Sequence, residues 1–276
     1  MPFYISGDSA DVWINKEEFL LDEGFAAKVV AGVPPDAFSQ DGQLWGNPIY
    51  DFEHQKAENY SWWIKRLKFN FRLFDVLSVD HFRAFADYYV IDAKHTDAKN
   101  GEWKTGIGLD FWQTAAKEIP GMRIIAEDLG VMSEAVVNLV NMTGFPNMRV
   151  LQFAFSGDPY NPHLPSNYPE NCVCYTGTHD NNTTLGFIEN ALDYEKYMMN
   201  DRFPESESFP APLNLIKAAM DSPADTVIVP VQDYLMLGGE YRMNTPGTVF
   251  GNWEFRVGKD YLSEELVERI IKTARQ

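Results

Sequence analysis

The stretch VLSVDHF, residues 76–82, decides how the chain is read: a short strand-forming run ends abruptly in an acid and a histidine. The pattern returns twice. IIAED at 124–128 runs into Glu127 and Asp128, and CVCYTGTHDN at 172–181 runs into His179, Asp180 and Asn181. Val150–Phe155 and Thr226–Val229 are further β-rich runs. These segments are continuously apolar rather than alternating, as parallel strands buried on both faces require.

Helical patterns fill the spaces between them. Tyr60, Ile64, Leu67 and Phe71 repeat at helical spacing. Ser133 and Glu134 open a helix whose apolar face is expected to include Val137 and Val140, with Gly144 as its stop. Leu215–Met220 and Leu266–Ile270 read the same way. Strand–helix alternation without repeats or linkers predicts an α/β fold with a mainly parallel sheet and no internal boundary, a single catalytic domain over 1–276. The segment AGVPPDAFSQDGQLWGNPIYD, residues 31–51, is rich in Gly, Pro and aromatics and predicts a structured loop over a site.

The placement of the acids carries the functional signal. In a parallel β/α barrel the C-terminal strand ends meet at one mouth, and catalytic groups come from several strands. Asp80, Glu127 and Asp180 would converge there, and enough chain separates them for crossover helices. Three neighbouring carboxylates cannot all ionise easily, so repulsion and desolvation leave one protonated beside an ionised partner. Glycosidic bond cleavage needs that division. A single acid after a strand is more often a helix cap or a solvated turn, and Asp128, followed by Leu-Gly, reads as such. A metal site made from His81, His179 and the acids is the rival reading. No closely spaced histidine pair supports it, so no metal is expected.

Composition agrees with a neutral ligand. A net charge of -17 excludes nucleic acid and anionic membrane as natural partners. The aromatic content of 14% suits sugar stacking, although most such rings serve as core. No apolar run is long enough to span a bilayer, and no signal-like start is visible, which predicts a cytoplasmic protein. Cys172 and Cys174 share one strand face, where bridging is rare; they are expected as reduced core thiols in a reducing compartment.

Seven segments together resemble glycoside hydrolase family 77, the amylomaltases and disproportionating enzymes: DSADVW, the 31–51 segment, VDHFRAF, IIAEDLGV, GFPNMRVLQFAF, YTGTHDNNTT and RMNTPGTVFGNW. The resemblance runs from Met1 to about Arg256. It implies a TIM-type β/α barrel of which about six of eight units are present, completed by an N-terminal segment or a second chain. It implies 4-α-glucanotransferase activity on maltooligosaccharides and α-1,4-glucans, with retention of configuration and no organic cofactor. Asp80 matches the nucleophile, Glu127 the general acid/base, and Asp180 the third carboxylate that grips sugar hydroxyls. His81 and His179 would bind hydroxyls, and Trp45 and Tyr50 lie on the loop that covers the acceptor side. Ser78 stands where the family has Arg, two residues before the nucleophile. A glucan-binding homologue with impaired catalysis is the alternative this departure implies.

Overall fold

Leu77–Val79 and Ile124–Ala126 pair in parallel, Leu77 opposite Ile124 and Val79 opposite Ala126, so the two acid-bearing runs are neighbouring strands that end level. The computed structural model describes residues 1–35, 39–130, 132–206, 209–248 and 250–274. The chain divides into two compact units, Met1–Asn147 and Met148–Gln276.

The first unit contains, in order, α1 (Ala10–Ile14), β1 (Val29–Val33), β2 (Gln43–Pro48), α2 (Phe52–Ala57), α3 (Ser61–Asn70), β3 (Leu77–Val79), β4 (Asp87–Asp92), β5 (Gly101–Thr105), α4 (Gly108–Glu118), β6 (Ile124–Ala126) and α5 (Glu134–Thr143). Two sheets result. Beside the parallel β3–β6 pair, β2, β1, β4 and β5 form an antiparallel sheet in that order. The 31–51 segment is therefore partly sheet rather than loop; its residues 36–38 lie outside the described residues. Gly32 explains why β1 can take β2 so closely: a Cβ there would stand 2.3 Å from the Gln43 carbonyl oxygen.

The core of this unit is unusually aromatic, and it positions the site. After β3 the chain makes a tight helical turn, Phe82–Phe85, whose four residues are all buried. Phe85 stacks on Phe111 at 5.2 Å and meets Phe3 edge-on at 4.8 Å, while Phe82 lies against Trp112 at 5.4 Å. Large rings packed this way contribute through both buried area and ring geometry. They fix the chain directly after Asp80 and His81.

Helix α5 is capped as its sequence predicts: Ser133 Oγ accepts from Val136 N–H, and Gly144 ends it at φ 67°. The phase this cap sets buries Val136, Leu139 and Val140. Val137, expected on the apolar face, is 43% exposed instead.

β7 (Asn147–Val150) begins on the last residue of the first unit, and the second unit continues with β8 (Cys172–Tyr175), α6 (Thr184–Asn190), α7 (Asp193–Arg202), α8 (Ala211–Met220), β9 (Thr226–Ile228), α9 (Val231–Tyr234) and α10 (Glu264–Thr273). Asn147, the last residue of the first unit, pairs in parallel with Ala126. The expected strand Val150–Phe155 stops at Val150, and Leu151–Phe153 form a 3-10 turn. Gln152 is drawn inward there, donating to the Asn182 carbonyl at 2.8 Å, and Phe153 is left exposed. Strands β8 and β9 pair in parallel from Val173–Thr226 to Tyr175–Ile228. Cys172, Val173 and Cys174 are all buried, as a strand covered on both faces requires. Neither cysteine is in a disulfide, and burial pushes the Cys174 thiol up to about 12. In α10 Leu266 is buried but Ile270 and Ile271 are exposed. Among the described residues no helix is long and apolar enough to cross a membrane.

Candidate active site

The level ends of β3 and β6 bring Asp80 and Glu127 onto adjacent strands. Glu127 is gripped by main chain on every side. Its N–H donates to the Val79 carbonyl at 3.1 Å, and its own carbonyl accepts from Phe82 N–H at 3.0 Å. Its carboxyl accepts from His81 N–H at 2.6 Å through Oε2 and from Leu129 N–H at 3.1 Å through Oε1. The first of these bonds requires His81 to turn back, and it does so at φ 50°. A non-glycine residue in the left-handed region is strained, and such strain concentrates at functional sites.

Burial raises the Glu127 carboxyl to about 7, and the nearby Asp80 charge pushes the same way; the two N–H donors oppose them without winning. Asp80 is exposed at the strand end, its N–H donating to the Met1 carbonyl at 3.0 Å. One carboxyl is thus held protonated up to neutrality beside a second that faces solvent. Asp128 is buried, which overturns the solvated-turn half of the cap-or-turn reading.

His81 lies between aromatic rings, 4.8 Å from Trp45 and 5.7 Å from Tyr4. Burial and the Arg83 charge lower its pKa to about 3, so it offers a neutral imidazole to a neutral partner. Trp45 is partly exposed on β2, with its indole N–H on Gln43 Oε1 at 3.1 Å. Tyr50 corrects the sequence reading: it is 1% exposed, packed among Phe3, Phe19, Trp62 and Trp63, and its hydroxyl donates to the Phe3 carbonyl at 2.6 Å. Its ring is core. Tyr4, which the sequence reading passed over, is the second ring beside His81, and its buried hydroxyl finds no hydrogen-bond partner among the described residues. Only an aromatic within a strand-like start marked it.

Behind the turn, buried Arg83 pairs with Asp87 at the start of β4, and Asp87 also accepts from Ser133 Oγ, the cap of α5. The Arg83 guanidinium lies 4.3 Å from the Trp103 ring centroid on β5. One side chain therefore ties the Asp80–His81 turn to the antiparallel sheet and, through Asp87, to α5.

In the second unit His179 and Asp180 follow β8 on an exposed turn, 3.5 Å apart between Nε2 and Oδ2. Asp180 Oδ1 accepts from Asn244 Nδ2 at 2.6 Å, and its carbonyl accepts from Arg242 at 2.8 Å. The Trp253 ring lies 5.1 Å from that of His179. The base of this turn is held by buried Asp233, which accepts from Thr176 Oγ1 at 2.6 Å and Thr184 N–H at 2.7 Å. Asn244, Arg242, Trp253 and Asp233 received no role from sequence. Three of them stand in the quoted RMNTPGTVFGNW segment, and that was the available signal. Among the described residues no group of three His, Cys, Asp or Glu could hold a metal ion.

Acids at the ends of parallel strands in an α/β chain, with a raised carboxyl beside an exposed one, are compatible with chemistry on glycosidic bonds. The chain belongs to the 4-α-glucanotransferase family, glycoside hydrolase family 77, whose family model matches residues 1–260. It is 42% identical to a 4-α-glucanotransferase of Clostridium butyricum over 100% of this chain and 57% of that protein. It is 44% identical to a chloroplastic/amyloplastic 4-α-glucanotransferase of Solanum tuberosum over 93% of this chain and 45% of that protein. A solved amylomaltase from Streptococcus agalactiae in complex with acarbose superposes with a TM-score of 0.94 at 36% identity, covering 100% of this chain and 57% of that one. The amylomaltase of Corynebacterium glutamicum, at 19% identity and a TM-score of 0.77, shares the fold. The chain spans about half the length of the curated relatives it matches.

Proposed function

We propose that this chain carries the catalytic centre of a retaining 4-α-glucanotransferase, with its parallel strands belonging to a β/α barrel. Asp80 attacks the anomeric carbon of an α-1,4-glucan while Glu127 protonates the departing glycosidic oxygen. A covalent glycosyl intermediate on Asp80 results. Glu127, now a carboxylate, deprotonates the 4-hydroxyl of an incoming maltooligosaccharide, which displaces Asp80 and restores the α linkage. Asp180 serves as the third carboxylate, gripping sugar hydroxyls and favouring the oxocarbenium-like ring. Neutral His81 binds a further hydroxyl, His179 binds another, and Trp45 covers the acceptor. Screening the intermediate from water lets transfer outrun hydrolysis. No cofactor enters the scheme. The buried, reduced Cys172 and Cys174 suit a cytoplasmic or similarly reducing location.

The observation that carries this reading is Glu127 raised to about 7 by burial and by Asp80. A carboxyl protonated near neutral pH next to an exposed carboxylate is what the first step needs. The test is glucose release from maltotriose in the full chain. Asp80→Asn and Glu127→Gln are each expected to abolish it, with the reaction of the unsubstituted chain unaffected by a strong chelator. An undiminished rate in either variant removes the assignment.

A further inference from the structure

We propose that Asn244 is a positioning residue that holds the Asp180 carboxylate in its working rotamer; this rests on the role given to Asp180 above. The Asp180 side chain is 51% exposed, and within the turn its Oδ2 meets only His179 Nε2 among the described residues, at 3.5 Å. Its N–H reaches Thr178 Oγ1 at 3.2 Å, which fixes the main chain only. An exposed carboxylate in that position would exchange rotamers, and every misdirected state reduces the fraction able to meet a sugar hydroxyl.

Residues 242–248 and 250–253 supply a further constraint. Asn244 Nδ2 donates to Asp180 Oδ1 at 2.6 Å, a bond strengthened by the acceptor's charge. The same residue's N–H donates to the His179 carbonyl at 3.1 Å, so side chain and main chain dock on consecutive residues of the turn. Arg242 completes the clamp. Its Nη2 donates to the Asp180 carbonyl at 2.8 Å and its Nε to the Asn244 carbonyl at 3.0 Å. The far end of the segment is drawn back by Trp253, whose N–H donates to the Met243 carbonyl at 2.7 Å. Trp253 adopts φ 64°, and its ring lies beside His179. A tryptophan in that backbone region stores strain that the surrounding bonds must hold.

The chemistry explains why an amide suits position 244. It donates to the carboxylate without neutralising it, leaving Oδ2 to accept from a hydroxyl. A carboxylate there would repel Asp180, and an apolar side chain would release it. Oδ1 is taken by Asn244, and Oδ2, with His179 Nε2 3.5 Å away, is the oriented acceptor left for a hydroxyl.

The experiment compares Asn244→Leu, Asn244→Asp, Asp180→Ala and the double variant Asn244→Leu/Asp180→Ala in the full chain. The rate measured is glycosyl transfer from an activated α-maltotriosyl fluoride to glucose, with melting temperatures recorded beside it. Asn244→Leu is expected to lower kcat by about 10- to 100-fold with KM within about threefold, as loss of orientation does. Asn244→Asp is expected to be worse than Asn244→Leu at equal melting temperature. The double variant should match Asp180→Ala, because Asn244 has nothing left to position. Wild-type kcat in Asn244→Leu, or additive losses in the double variant, would overturn the inference while Asp180→Ala stays impaired. Full activity in Asp180→Ala would instead remove the assignment of Asp180, and this inference with it.

Discussion

The main-chain N–H of His81 donates to Glu127 Oε2 at 2.6 Å, so the residue that follows Asp80 also holds the acid on the neighbouring strand. The bond forms because His81 accepts a left-handed conformation and because β3 and β6 end level. It couples the two carboxyls mechanically as well as electrostatically. Anything that moves the Phe82–Phe85 turn shifts both at once.

The raised Glu127 carboxyl sets a pH limit. Glu127 must be protonated for the first step, so kcat/KM should fall about tenfold per pH unit above roughly 7. The same shift acts on stability. Between its ordinary value of 4.5 and about 7 the native state keeps a proton that the unfolded chain releases. Stability is therefore greatest below that window and declines as pH rises through it. Denaturant titrations at pH 4.5 and 7.5 should show the wild type losing on the order of 2 kcal/mol more than Glu127→Ala. A pH–rate profile flat to pH 9 would contradict the assignment.

Ser78 supplies no cation two residues before Asp80. Ser78 lies on β3 and Asp80 directly follows its last residue, and both are exposed. Ser78→Arg would bring a guanidinium within reach of the Asp80 carboxylate through a charge-assisted bond. We expect kcat for maltotriose disproportionation to rise about tenfold or more. An unchanged kcat would show that Asp80 is already oriented by other means.

Arg83 is the structural tie behind the turn. Breaking a buried pair leaves Asp87 and its neighbours uncompensated, at a cost of about 3–5 kcal/mol. Arg83→Met should lower the denaturant midpoint accordingly, and Arg83→Lys should recover part of it while losing the planar stack on Trp103. Equal midpoints for all three proteins would mean that the pair contributes nothing net.

What the sequence made legible follows from how local its signals are. The acid-ended strands could be read because each is a short, mostly apolar run, and helix α5 because Ser133 and Gly144 mark its ends. The antiparallel sheet was invisible. Val29–Val33 pairs with both Gln43–Pro48 and Asp87–Asp92, and pairings at such separation leave no periodicity in either partner. Tyr50 failed for a related reason. An aromatic beside Gly and Pro looks like a loop platform, whereas its surroundings are rings contributed by Phe3, Phe19, Trp62 and Trp63. The Asn244–Asp180 bond joins residues far apart in sequence, and an amide–carboxylate pair has no pattern to announce it.

The account turns on Asp80 as nucleophile with Glu127 as its acid/base partner. Glu127→Gln should accept an activated α-maltotriosyl fluoride, which needs no acid to leave, and then stall for want of a base. Mass spectrometry of its peptides should find one maltotriosyl group on the peptide bearing Asp80. A label on another carboxylate, or an unlabelled Asp80 peptide in a protein that still consumes the donor, would contradict it.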